Sequence, residues 1–273
     1  MRQLFSCFLF QKRPAEGLSA SGRAAFWIWN ALLLGGAAAG LGLLSLILAP
    51  SQFGWELFWD YWDHPGLIAL NLLPPVVLAA LLYGIAGRPW LAYVLTALPV
   101  LGLSFGNYYK LAFRDDPVIA ADLLLLGEAG NMAGKYQLYL TDKLTAALVC
   151  AAAGGAVLAL LARGRPAGRC RALTAGAALV CALALAPVYA SDEIYQANEN
   201  KEHINQWASS QQYMSRGFLY PLLHSVKDAF PQPPQGYDQR EAAAWLAQYE
   251  DGVIPEDQKV NIVGVMLEAF ADF

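Results

Sequence analysis

Five stretches of the chain carry no charged residue: residues 24–55, 65–87, 89–109, 144–162 and 172–191. Each reaches or approaches the roughly 20 apolar residues that a helix needs to cross a hydrocarbon core. A segment in lipid must satisfy its own backbone, which a helix does. The pattern therefore predicts five transmembrane helices. The end of the chain follows a different rule. Val260, Ile262, Val263, Val265, Met266 and Leu267 make a short, nearly continuous apolar run after the polar residues 255–259. Such a run predicts a strand buried on both faces of a parallel sheet. Glu268 stands where that strand would end, and in open α/β sheets ligands and metals are held at the carboxyl ends of strands.

Flanking charges sort the spans by side. Arg2, Lys12, Arg13 and Arg23 precede the first, Arg88 separates the second from the third, and Arg163, Arg165, Arg169 and Arg171 separate the fourth from the fifth. The loop at residues 51–64, on the other side, carries Glu56, Asp60 and Asp63 and no Lys or Arg. The positive-inside rule then places the amino terminus in the cytoplasm. Five crossings put everything after Ser191 outside. The expected protein is a multi-pass cell-membrane protein with its carboxyl terminus extracellular. Its organisation reads as a cytoplasmic tail (1–23), a transmembrane domain (24–191), an extracellular helical stalk and linker (192–258), and the truncated start of an α/β domain (259–273).

Composition agrees with a membrane class. The chain is 57% hydrophobic and 15% charged, whereas soluble domains average about 45–50% and about 25%. A cleaved signal peptide is excluded because the first apolar run exceeds a signal core of about 7–15 residues. No basic cluster or aromatic pattern points to nucleic acid. Cys7, Cys150, Cys170 and Cys181 all fall in cytoplasmic or intramembrane positions, without metal-binding spacing, so they read as packing residues with no external disulfide.

Within this frame some residues have specific expected roles. Small residues at Gly35, Gly36, Ala37, Ala38, Ala39, Gly40 and Gly42 would let another helix approach the first span. Trp55, Trp59, Tyr61 and Trp62 suit the headgroup layer, with Glu56, Asp60 and Asp63 in water. Pro74, Pro75 and Pro99 should kink their spans. In the long outer loop, Asp116 and Pro117 predict the start of a short surface helix running to Gly127. Two readings compete for Lys110 and Arg114: they hold an anionic lipid phosphate, or they form paired charges tying the loop to the bundle. His64, His203 and His224 lack metal spacing. Residues 231–234 form a stiff Pro-rich connector, and Asp238 with Glu241 predicts a capping box for a helix running to about Glu250.

Three segments, taken in order along the chain, carry a family resemblance. They are residues 114–122 (RDDPVIAAD); Asn205-Gln206-Trp207 with Tyr213 and Arg216-Gly217-Phe218; and residues 261–270 (NIVGVMLEAF). Together they resemble the lipoteichoic acid synthase family, membrane phosphoglycerol transferases with an outer domain of the sulfatase or alkaline-phosphatase fold. The resemblance implies that Glu268 is a ligand of a catalytic divalent metal, manganese as a rule. It implies transfer of phosphoglycerol from phosphatidylglycerol to a glycolipid or polyglycerolphosphate acceptor, through a threonine nucleophile expected beyond Phe273. Many relatives have Ser after the motif glutamate, where this chain has Ala269. Two alternatives remain open: a phosphoethanolamine transferase or other sulfatase-superfamily membrane enzyme, and a non-catalytic membrane scaffold or fragment. With one metal-binding carboxylate and no nucleophile region, the chain by itself is expected to be inactive.

Overall fold

A computed structural model describes residues 20–50, 55–125, 127, 138–162, 168–230, 233–234, 236–249, 260 and 264. The helices are α1 (Ala20–Leu48), α2 (Trp55–Asp60), α3 (Pro65–Ala86), α4 (Pro89–Arg114), α5 (Asp142–Leu161), α6 (Gly168–Ala190), α7 (Asp192–Ala197), α8 (Ser209–Met214), α9 (Leu219–His224) and α10 (Gln239–Leu246). The five expected spans are present: α3, α4, α5 and α6 along their lengths and α1 from Ala25 onward are long and apolar enough to cross a membrane. The chain divides into two compact units, Met1–Phe230 and Pro231–Phe273.

In the first unit α3 is central. It packs against α1, α4 and α6, while α5 lies against α1 and α4. Close approach decides the α3–α6 crossing. A Cβ on Gly84 would lie 2.6 Å from the Ala175 Cβ and 2.8 Å from the Arg171 carbonyl oxygen, so a larger residue would force the helices apart. The small residues of α1 divide: Ala38 is fully buried and Gly42 faces the backbone of Asn71 and Leu72, but Gly35, Gly36 and Gly40 meet no neighbour. Small size aids packing only where another helix arrives. Both α3 and α4 continue through their prolines, Pro74 and Pro75 in the first and Pro99 in the second. Some polar groups inside the spans bond both locally and across helices, as where Ser104 Oγ bonds the Val100 carbonyl and Ser45 Oγ.

Alternation of the spans brings the end of α1, the start of α3, the end of α4, the start of α5 and the end of α6 to one end of the bundle. Residues 192–230 fold onto that end. The stalk expected there is instead a cap: Met214 through Leu222 are buried, and Phe218, Leu219 and Leu222 join the core cluster that includes Leu41 and Tyr83. The reason is the apolar content of residues 218–222, which water would not solvate cheaply.

Two local expectations also change. The loop after α4 begins no helix at Asp116; residues 116–119 are irregular and a 3-10 helix covers Ala120–Leu125. Asp116 is drawn to Lys110 and does not cap. In the α2 region the tryptophans are exposed as expected, but Tyr61 and Asp60 are buried. Tyr61 donates its hydroxyl proton to the Met214 carbonyl, so it fastens the cap.

In the second unit Asp238 caps α10, its Oδ1 accepting from the Arg240 and Glu241 amides at 2.7 and 3.4 Å. The helix ends at Leu246, short of Glu250, and Trp245, Leu246 and Tyr249 are exposed. The predicted strand lies outside the described residues except for Val260 and Gly264, neither of which is in a strand. Glu268 also lies outside them.

Candidate functional site at the capped end

The capped end gathers the buried polar and charged chemistry. Its centre is Asn71, fully buried on the second turn of α3. Its Nδ2 donates to the Arg216 carbonyl at 2.9 Å and to the Leu67 carbonyl, while its Oδ1 accepts from the Tyr220 amide at 3.1 Å. Tyr220 is in the first turn of α9, and the residue before that helix, Phe218, supplies no side-chain cap. First-turn amides need an acceptor, and here a transmembrane asparagine provides one. Gly217, with φ of +86°, passes so close that a Cβ would sit 2.6 Å from both the Asn71 amide and Leu46. The Arg-Gly-Phe spacing therefore has a local explanation: the glycine is required where the backbone crosses Asn71.

Arg216 is 4% exposed. Its Nε donates to the Tyr195 carbonyl at 3.0 Å, an Nη donates to the Gln212 carbonyl at 2.8 Å, and the other Nη lies 3.5 Å from a Glu199 carboxylate oxygen. The guanidinium also lies 4.3 Å from the Tyr195 ring centre. The other face of the cluster is aromatic. Tyr195 and His224 stack with centroids 3.8 Å apart, and Tyr220 packs against Tyr189 and Tyr195. His224 Nδ1 is 2.8 Å from the Tyr189 carbonyl and its Nε2 is 3.3 Å from Asp192, which Lys227 also contacts. Burial raises the pKa of Tyr195 and pushes that of Tyr220 up to about 12, so both phenols stay neutral. Asn200 Nδ2 and the Tyr220 hydroxyl are buried without a hydrogen-bond partner.

The outer loop docks on this cap. Tyr213 donates its hydroxyl proton to the Val118 carbonyl at 2.8 Å, and the Ala120 amide donates to Ser225 Oγ at 2.9 Å. Asn107 Oδ1 accepts from the Val118 amide. Lys110 sits beneath, its ammonium 2.7 Å from Asp116, 2.8 Å from Asp122 and 2.9 Å from the Pro117 carbonyl. Of the two readings for Lys110, these distances match paired charges tying the loop to the bundle; its three donors are spent, leaving none for a phosphate. Arg114 is exposed at the end of α4, four residues from Lys110, and has no ion pair among the described residues.

Residues 205–207 form a turn in which Asn205 Oδ1 accepts from the Trp207 amide and the Asn205 amide donates to Gln211. That leaves Trp207 at 96% exposure, a ring suited to a headgroup layer. On the other flank, buried Asp60 contacts His203 Nδ1 at 2.7 Å. With Glu202 these side chains form a group whose donor atoms lie within 4.8 Å of one another. The hydrogen bond to Asp60 raises the His203 pKa. His203 and Asp60 are 143 residues apart, and no spacing in the sequence could have paired them. Asn71 was more accessible to sequence reasoning: a lone asparagine in a charge-free span is a recurrent interhelical hydrogen-bonding group. No family model, curated protein or solved structure matches the chain.

Proposed function

We propose that this chain carries the membrane part of a lipoteichoic acid synthase-like phosphoglycerol transferase, with phosphatidylglycerol as donor and a glycolipid or polyglycerolphosphate chain as acceptor. One observation supports the reading. Two segments that carry the resemblance, residues 114–122 and 205–218, meet at the capped end through Tyr213 and Val118, although nearly a hundred residues separate them. A headgroup-recognition surface explains why they meet there. In this proposal the capped end faces outside, since Arg88, Arg169 and Arg171 lie at the other end. Arg114 offers the charge to a lipid phosphate, Lys110 holds the loop that presents it, and Trp207 sits among the headgroups. Glu268 would contribute one carboxylate to a divalent metal, manganese by the resemblance, and such a metal polarises a phosphoryl oxygen.

The test is headgroup competition. The chain is placed in nanodiscs with a photoactivatable phosphatidylglycerol, and adducts on residues 107–125 and 205–218 are counted. Unlabelled phosphatidylglycerol is expected to displace the probe where phosphatidylethanolamine does not. Preferential displacement by phosphatidylethanolamine would move the assignment to a phosphoethanolamine transferase. Equal displacement by both would leave a scaffold.

A further inference from the structure

A second lipid-accessible feature lies away from the cap. Between α4 and α5 runs an apolar groove of about 670 Å³, within the size range of ligand-binding clefts. Its lining combines small residues, Gly102, Ala152 and Gly155 among them, with Trp90, Leu98 and Phe105, and its buried wall is Tyr93, Leu101 and Ala151. Leu98 is 67% exposed, so the groove opens sideways, toward lipid.

One tyrosine shapes it. Tyr93 donates its hydroxyl proton across to the Ala151 carbonyl at 3.0 Å, and its oxygen lies where a Cβ on Gly154 would need to be. This bond pins α4 to α5 at the groove's buried wall. At the capped end the Tyr108 hydroxyl lies 3.3 Å from Thr141 Oγ1, and the groove stops short of it at Phe105. Toward the opposite end it continues to Trp90, in the first turn of α4. From Trp90 to Phe105 a helix rises roughly 22 Å at about 1.5 Å per residue. That exceeds the roughly 15 Å half-thickness of a hydrocarbon core. The groove is therefore rooted at the end of the bundle away from the cap and runs past the midplane.

At that root stands Arg88, the residue preceding α4, exposed and without an ion pair among the described residues. An apolar lining, a tryptophan in the first turn of α4 and an exposed arginine just before that helix match one kind of occupant. We propose that this groove seats an acyl chain of an anionic phospholipid from the leaflet on the Arg88 side, with its phosphate at Arg88. A basic residue near a membrane surface prefers anionic lipid, and the groove adds a shape that a bulk annular site lacks. The proposal does not depend on the transferase reading, because the two surfaces lie at opposite ends of the bundle.

The experiment uses phosphatidylglycerol carrying a photoreactive group in its acyl chain, in nanodiscs with the full chain. Adducts are mapped by peptide. Yield on α4 and α5 residues lining the groove is expected to exceed by about fivefold that on the lipid-exposed Leu173, Leu179 and Leu183 of α6, on the scale of one basic contact. Arg88→Gln should bring the phosphatidylglycerol yield down to that of phosphatidylcholine, while Arg114→Gln leaves it unchanged. Uniform labelling around the bundle in the unsubstituted chain overturns the proposal without any variant having to fold. Ala152→Leu, which puts a larger side chain into the lining, should remove the excess labelling; loss of a dimer in that variant, with labelling retained, would assign the groove to a second copy and also overturn it.

Discussion

At the capped end Asn71, Arg216 and His224 are buried, and each contacts the backbone of another element. At the opposite end Arg88 is exposed, and Arg171 reaches the carbonyls of Gly84 and Ile85 where α3 ends. The same five helices thus end in two ways. One end is specified by buried side chains with defined backbone partners, whereas the other combines an exposed arginine with the Gly84 and Arg171 contacts between α3 and α6. In lipid there is no hydrophobic gain from pressing helices together, so polar bonds and close packing set their register. The cap depends on individual side-chain fits, so substitutions there should be felt more than at positions that meet no neighbour.

The largest effect is expected at Gly217. An alanine there combines a positive φ with a Cβ 2.6 Å from Asn71 and Leu46. Left-handed strain of about 1–2 kcal/mol adds to overpacking of about 1–3 kcal/mol. Gly217→Ala should therefore release residues 209–224 to protease at temperatures where the parent resists. A glycine-to-alanine change at Gly36, which meets no neighbour, should leave proteolysis unchanged. Equal sensitivity at the two positions would end the contrast between specified and permissive regions.

Asn71→Leu comes next. It removes the acceptor for the Tyr220 amide and the donor to the Arg216 carbonyl together. A buried group left without a partner costs about 1–3 kcal/mol. Hydrogen exchange should show the first turn of α9 opening while α5 stays protected. Exchange rising equally in both would mean that Asn71 supports the whole bundle rather than the cap.

A smaller pair separates holding the loop from meeting a ligand. Lys110→Gln leaves Asp116 and Asp122 without their shared cation; for pairs this exposed the loss is about 1 kcal/mol, read as faster exchange at residues 115–122. Arg114→Gln should leave that exchange unchanged and lower the preference for phosphatidylglycerol over a zwitterionic lipid by about fivefold. The reverse pattern would exchange their roles.

How much of this was legible in the sequence follows from the range of each interaction. The five spans depend on composition over some twenty residues, so charge-free runs located them. The capping of α10 by Asp238 is equally local and was read correctly. The cap was not, because residues 192–230 look like a helical, aromatic-rich stalk partly seated on the membrane until the end of the bundle is there to bury residues 214–222. Tyr61 was read as an interfacial ring for the same reason: its partner, the Met214 carbonyl, lies 153 residues away. The Asp116 cap failed on a local rule overridden by Lys110, whose ammonium offers a stronger partner than first-turn amides. Lys110 itself was left between two readings, since neither carboxylate's reach can be seen in one dimension.

The smallest expected effect belongs to the Asp60–His203 contact, which joins α2 to the cap. His203 adopts a left-handed φ of +55°, a conformation that a β-carbon disfavours, so something must hold it there. Its imidazole contacts Asp60 at 2.7 Å, and Glu56 and Glu202 add negative charge nearby. The hydrogen bond to Asp60 first, and its charge second, raise the histidine pKa. A group whose pKa is higher folded than unfolded contributes fully below the unfolded value, about 6.5 for histidine, and loses that contribution as pH rises through the folded value. The contact should therefore be firm in mild acid and loosen toward alkaline pH. Hydrogen exchange at residues 60–64 and 202–206, followed across that range, is expected to quicken with pH beyond the intrinsic rate. In Asp60→Asn the excess should vanish. His203→Gly should abolish it too while relieving the backbone, so that variant should lose the pH dependence without losing the turn. A pH dependence that survives Asp60→Asn would place the titrating group elsewhere and leave this flank of the cap held by Tyr61 instead.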